Sequence, residues 1–320
     1  MKVFVTGGSG FIGGHLLEGL QRAGHETWAL ARSDRSAELV DAYGARPVRG
    51  ELGAVAVEDL RGADAVIHAA ANTSEWGTRE AFWRDNVEGT EQLLVAAKEA
   101  GVRRFVHVGT EAALFVGDDL VNVDETAPYP TRHKYLYSET KAEAEKRVLA
   151  AASDGFETVS IRPRLVWGPR DTTVTPVILE MAEAGRFRWI SGGAQLTSTT
   201  HVDNLVHALL LALERGGSGR AYFVADDGER TMRRFLTALA AAHGTVLPDK
   251  GLPRWLARVS ARVVEGTYRV VRRRSKPPLT RFAIDMMSAT VTVNTARARE
   301  ELGYVPVVAF DEGMNQLSRV

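Results

Sequence analysis

Cysteine is absent from the 320 residues. Disulfides, thiolate metal sites and cysteine nucleophiles are thereby excluded, and a reducing, cytoplasmic setting is expected. No run of 18 or more apolar residues occurs, so no segment is expected to span a bilayer. The opening Met1-Lys2-Val3-Phe4-Val5-Thr6-Gly7 stops at glycine, too short for a signal-peptide core. A charge excess is missing too. Lys and Arg total 40, as do Asp and Glu, so no global field points to nucleic acid or an anionic membrane. His15, His25, His201 and His207 are scattered without metal-ligand spacing, so no metal is expected. Repeats and low-complexity segments are likewise lacking.

Hydrophobic residues make up 45% of the chain, enough for a sizeable core. Short β-branched runs read as buried strands: Lys2 to Thr6, Thr27 to Leu30, Ala65 to His68, Arg104 to Val108 and Thr158 to Arg162. Helical stretches such as Phe11 to Ala23 and Asn86 to Ala100 separate them. This alternation predicts an α/β fold, a doubly wound parallel sheet with ligands at the carboxyl ends of its strands. Val202 to Glu214 and Ala221 to Val224 return to the sheet. The expected division is a dinucleotide domain of residues 1–166 plus 195–226. Residues 167–194 plus 227–320 form a smaller, mostly helical substrate lobe. Arg272 to Pro278 reads as an exposed loop.

Thr6-Gly7-Gly8-Ser9-Gly10-Phe11-Ile12-Gly13 follows the first strand and opens the first helix. Gly7 allows a tight turn, Gly10 admits a pyrophosphate to the backbone, and Gly13 lets helix and strand pack closely. Amides at the helix start then face the phosphates. An acidic residue ending the second strand would hold the ribose hydroxyls of NAD. Here Ala31 stands there and Arg32 follows, with Arg35 near. A guanidinium suits a 2′-phosphate. NADP(H) is favoured; NAD(H) stays open.

Tyr137-Ser138-Glu139-Thr140-Lys141 places a phenol and an ammonium on one helix face. The ammonium is expected to favour the phenolate and bring its pKa toward neutrality. Thr110 ends the run Phe105 to Val108, where its hydroxyl can meet a reacting oxygen or simply cap a turn. Asp64 to Ala71 ends in small residues that admit a flat ligand. His68 within it reads as a core histidine, and Asn86 as a site residue or a plain cap.

Taken together these motifs resemble the extended short-chain dehydrogenase/reductase superfamily. Arg162-Pro163-Arg164-Leu165-Val166-Trp167-Gly168-Pro169, His201-Val202-Asp203-Asn204 and Glu301-Leu302-Gly303-Tyr304-Val305-Pro306 carry the similarity across almost the whole chain. Gly109-Thr110-Glu111-Ala112-Ala113 and Asn86-Val87-Glu88-Gly89-Thr90 resemble 3β-hydroxysteroid dehydrogenase-like members. The resemblance implies Tyr137 as acid–base, Lys141 as its partner and ribose ligand, Thr110 in place of the usual serine, and Asn86 supporting a proton-relay water or the active-site backbone. It implies cofactor contacts from Gly7, Gly10, Phe11, Ile12, Gly13, Glu51, Leu52, Ala69, Ala70, Ala71, Pro163, Leu165 and Val166. Glu51 is longer than the family's usual aspartate. The implied activity interconverts a carbonyl and an alcohol on a bulky, lipophilic, steroid-like small molecule.

Two other readings share the fold. One is an NAD-dependent nucleotide-sugar epimerase or dehydratase. Against it stands Thr197-Ser198-Thr199-Thr200, which lacks an arginine those enzymes often carry before the counterpart of His201; Arg186 and Arg188 are the remaining candidates for a diphosphate. The other is a non-catalytic dinucleotide-binding protein, which commonly loses the tyrosine or lysine. A monomer or a homodimer is expected. Trp76, Phe82, Trp83, Phe115, Trp167, Phe187, Trp189 and Trp255 are candidates for an apolar pocket, each singly more often core. Leu252 to Arg272 reads as a basic amphipathic helix with Leu252, Trp255, Leu256, Val259, Val263 and Val271 on one side. That stripe is expected to pack over the substrate cleft; peripheral membrane contact is the lesser reading.

Overall fold

The computed structural model describes residues 1–271, 277 and 280–318. Its centre is a parallel sheet of seven strands: β1 Lys2–Thr6, β2 Glu26–Ala31, β3 Arg46–Arg49, β4 Ala65–His68, β5 Arg104–Val108, β6 Glu157–Pro163 and β7 Arg220–Val224. Their spatial order is β7-β6-β5-β4-β1-β2-β3. The doubly wound α/β expectation is met. Strand β3 was not expected; Arg46-Pro47-Val48-Arg49 carries two charges and a proline, which an edge position tolerates.

Alternation along β1 fixes the two core layers. Val3 and Val5 point to one face, against Leu16, Leu17 and Leu20 of helix α1 (Phe11–Arg22) and against Leu205 and Leu209. Phe4 points to the other, against Val66, Leu93, Phe105 and Phe156. Both faces are buried, which is why the strands read as continuous apolar runs. Truncating Phe105 to alanine should cost about 3–5 kcal/mol.

Four helices matter for the site. α2 (Asp34–Ala42) is capped by Ser33, whose hydroxyl accepts from the Ser36 amide. α3 (Gly89–Glu99) follows a wide, π-type turn over Arg84–Glu88. α4 (Leu136–Ala150) crosses behind β5 and β6. α5 (Val202–Glu214) packs beside α1. A second small sheet joins Arg230–Thr231, Leu196–Thr197, Val291–Val293 and Leu120–Val123.

α6 (Arg254–Val271) departs from expectation. Its buried residues are Ala257, Ala261 and Glu265; the two alanines pack toward Ile284, Ile190 and Leu252, and Glu265 pairs with Arg281. Arg254 and Arg258 lean inward, both donating to the Gly117 carbonyl, and Arg258 also pairs with Asp285. Apart from Leu252, the apolar stripe therefore faces outward instead of over the cleft. Small residues allow the close approach, and the inward arginines find acceptors there. Arg272 to Ser275, Lys276 and Pro278 of the expected loop lie outside the described residues. No helix among the described residues is long and apolar enough to cross a membrane.

Candidate active site

Strand order reverses between β1 and β4, and a cleft of about 1160 Å³ opens there. Gly7 takes φ +77°, and a Cβ on it would meet the Ala70 nitrogen at 2.8 Å. A Cβ on Gly13 would meet the Gly7 carbonyl oxygen at 2.0 Å. The loop and the first turn of α1 thus interlock only as glycines. Gly10 caps α1 without a side-chain bond, so the amides of Phe11, Ile12 and Gly13 have no helical acceptor. Gly7, Gly10, Phe11, Ile12, Gly13, Arg32, Glu51, Leu52, Ala69, Ala70 and Ala71 all line this cleft. A dinucleotide's pyrophosphate fits the bare amides.

Arg32 is exposed on the cleft wall and makes no ion pair or hydrogen bond among the described residues. Its neighbour Arg49 is engaged by Asp34 at 2.6 Å. Glu51 is exposed and starts a short 3-10 turn.

Asn86 is not a cap. It lies buried inside the π-type turn, where its Oδ1 accepts from the Asn72 amide at 2.6 Å. Its Nδ2 donates to the Asn72 carbonyl at 3.1 Å and to Thr140 Oγ1 at 3.0 Å. It ties the segment after β4 to α4. His68 bonds Thr6 at 2.7 Å and Thr90 at 2.9 Å; burial, with the Lys141 charge adding, pushes it down to about 3. It is a core histidine.

Tyr137 and Lys141 share a face of α4, but their electrostatics differ from expectation. Lys141 Nζ donates to the Val108 carbonyl at 2.8 Å and lies 3.3 Å from His107 Nε2. Burial lowers its pKa to about 8, opposed by the Glu145 charge. Tyr137 is raised above the ordinary phenol value by burial and then by the Glu111 charge, with a Thr110 hydrogen bond acting the other way. The expected lowering by Lys141 is absent because the ammonium is turned to β5.

Glu111 is the residue sequence reasoning missed. Thr110 Oγ1 accepts from the Ala112 amide at 3.1 Å, as a cap, and donates to Glu111 at 2.9 Å. Glu111 also pairs with the fully buried Arg164. The signal was a lone acid in the apolar run Ala112-Ala113-Leu114-Phe115. Pro163, Leu165 and Val166 follow along the end of β6, with Leu165 at φ +44°. They do not line the cleft.

Tyr137 instead lines a second cavity of about 300 Å³ with Trp76, Tyr135, Phe282, Glu265, Arg269 and Arg281. Residues 69–74 border the cleft and residues 75–78 the cavity, so the two sites adjoin along one segment. Phe282 stacks edge-on against Tyr137 at 5.7 Å. Of the aromatics proposed from sequence, Trp76 lies here. Phe82, Phe115, Trp167, Phe187 and Trp189 are core, Trp83 is partly buried, and Trp255 is exposed.

The profile of the NAD dependent epimerase/dehydratase family matches residues 3–225, from the glycine loop through Tyr137 and Lys141. The chain belongs to this family. The 4-hydroxy-2-methyl-3-oxo-4-farnesyl-3,4-dihydroquinoline-1-oxide ketoreductase of Stigmatella aurantiaca is 42% identical over 319 residues, 99% of this chain and 96% of that protein. A 3-beta-hydroxysteroid dehydrogenase of Mycolicibacterium neoaurum is 33% identical, covering 98% of this chain and 89% of that one. The solved dTDP-glucose 4,6-dehydratase of Streptomyces venezuelae, with NAD and TYD bound, overlays at TM-score 0.77. At 24% identity over 100% and 96% of the two chains it carries the fold alone. The expected kinship with extended short-chain dehydrogenases and the 3β-hydroxysteroid group agrees with these relatives.

Proposed function

We propose that this protein is an NADP(H)-dependent reductase of a bulky, lipophilic ketone or aldehyde, working reversibly on the matching alcohol. The observation that carries the reading is geometric: Tyr137 lines a cavity with Trp76, Tyr135 and Phe282, beside charged Glu265, Arg269 and Arg281, and that cavity adjoins the glycine-loop cleft. The two relatives named as ketoreductase and hydroxysteroid dehydrogenase support it. In this reading residues 1–166 and 195–226 hold the dinucleotide, and residues 167–194 with 227–320 form the substrate lobe.

A dinucleotide held by the glycine loop and the cleft walls would supply a hydride for the carbonyl carbon. Tyr137 donates its proton to the carbonyl oxygen as negative charge develops there. Thr110 and Glu111 set the phenol's proton affinity and orientation. Lys141, on the same helix face as Tyr137, would hold a ribose hydroxyl of the dinucleotide and assist reprotonation of the phenol. Asn86 fixes the segment between the two cavities, so substrate and cofactor meet in register. Arg32 receives the 2′-phosphate. Glu51 and Leu52, which line the cleft, would hold the adenine; Pro163, Leu165 and Val166, at the end of β6, would flank the nicotinamide from outside the cleft wall.

The test is a panel of ketones and alcohols with both cofactors, following absorbance of the reduced nicotinamide. Tyr137→Phe keeps the ring against Phe282 but removes the proton, so turnover should fall by about two orders of magnitude or more with cofactor still bound. Near-normal turnover removes Tyr137 from the mechanism. A second reading, a nucleotide-sugar epimerase or dehydratase retaining NAD, is supported by the match to the NAD dependent epimerase/dehydratase family. Release of stoichiometric NAD on denaturing the purified protein would support it.

A further inference from the structure

We propose that the outer face of α6 docks on an anionic lipid surface and turns the mouth of the Tyr137 cavity toward the bilayer. The docking part stands on the helix alone; delivery of substrate from the bilayer rests on the reductase reading.

The helix is inverted relative to an ordinary lobe helix. Ala257, Ala261 and Glu265 face the protein. Trp255, Leu256, Val259, Val263, Val270 and Val271 face solvent, with Trp255 67% and Val270 80% exposed. Placed at 100° per residue, Trp255, Val259, Val263 and Val270 fall within one quadrant. Exposed Arg262 and Arg269 border that quadrant on one side. An apolar face with a tryptophan anchor and a basic flank suits the boundary of headgroups and acyl chains.

Charge also argues against a second copy of the chain as the occupant. An antiparallel twofold contact through this face would bring the two basic flanks together, which is unfavourable. Anionic headgroups complement them. Position supplies the functional link. Glu265 and Arg269, from the inner side and edge of the same helix, line the cavity that holds Tyr137. Arg281 is pinned to Glu265 at 2.8 Å, and Arg269 lies over Trp76 at 5.6 Å from the ring centre. One helix therefore forms both an apolar outer surface and one wall of the cavity. A lipophilic carbonyl dissolved in a bilayer would enter without crossing water.

The experiment is co-sedimentation of the whole protein with vesicles of phosphatidylcholine alone or mixed with phosphatidylglycerol. The wild type should pellet with the mixed vesicles, and less so at high salt. Trp255→Gln with Val259→Gln and Val263→Gln should lower that partition at least about tenfold. All three side chains are exposed, so melting temperature should not change. Arg262→Gln should weaken binding to the mixed vesicles only. Wild-type protein left in the supernatant with both vesicles overturns the proposal, as does binding that the triple variant retains. A wild-type dimer that the triple variant dissociates, without vesicle binding, overturns it in favour of contact between copies. Vesicle binding without reduction of any carbonyl would sink the reductase reading and leave the docking intact.

Discussion

Removing the positive charge of Lys141 should make the cofactor-free protein more stable near neutrality while abolishing its chemistry. The ammonium is buried, and burial lowers its pKa from the ordinary 10.5 to about 8. Each pKa unit is worth about 1.4 kcal/mol, so keeping the charge inside costs about 3 kcal/mol. The sign follows from linkage. Below pH 8 the lysine is protonated both folded and unfolded, and the full cost is present. Between about pH 8 and 10.5 the folded protein releases the proton while the unfolded chain still holds it, and the cost fades. Lys141→Met keeps the methylene stem and loses the charge. It also loses the 2.8 Å bond to the Val108 carbonyl, worth about 1.5–3 kcal/mol. The relieved cost exceeds the lost bond only slightly, so the net gain at pH 7 is about 1 kcal/mol. The change in the gap between variant and wild type is the cleaner quantity. Urea unfolding at pH 7 and pH 10 should show the variant's advantage shrinking by about 2–3 kcal/mol. A gap that does not move with pH would refute the reasoning, because it would mean that Lys141 is not a buried cation in the free protein.

Two other substitutions probe the cleft and its support. Arg32→Ala should weaken NADP(H) binding far more than NAD(H), since only the former carries the 2′-phosphate; equal losses by titration contradict the assigned role. Glu145→Gln removes the buried partner of Arg162, to which it lies at 2.7 Å, and of Ser160 and Tyr129. Stability should fall by about 3–5 kcal/mol in urea, and a loss below about 1 kcal/mol would show that Arg162 finds another acceptor.

The parallel sheet and the glycine loop were readable in the residues because both rest on local rules. Val3 to Thr6 is apolar on both faces, and Gly7 and Gly13 sit where only glycine fits. Other features depended on partners far along the chain. Arg46 to Arg49 looks like a loop until β2 supplies a neighbour. Glu111 and Arg164 stand 53 residues apart, and nothing in either segment announces the other. The pattern of α6 identified an apolar side correctly. Which side meets the protein was decided by Ala257 and Ala261 and by acceptors at Gly117 and Asp285. Likewise the spacing of Tyr137 and Lys141 put both on one face, while the Val108 carbonyl decided where the ammonium points.

The wide turn at Arg84–Glu88 has a consequence for how this chain can change length. It winds one surplus residue into an otherwise continuous rod, and Asn86 is among the residues displaced inward by it. Deleting a single residue there would restore regular winding. It would leave the flanking turns in phase but remove the bulge that carries Asn86 inward. Asn86 would swing away from Asn72 and Thr140, unlatching the segment between the two cavities from α4. An insertion or deletion that would be silent in an exposed loop is thus here a mutation of the site.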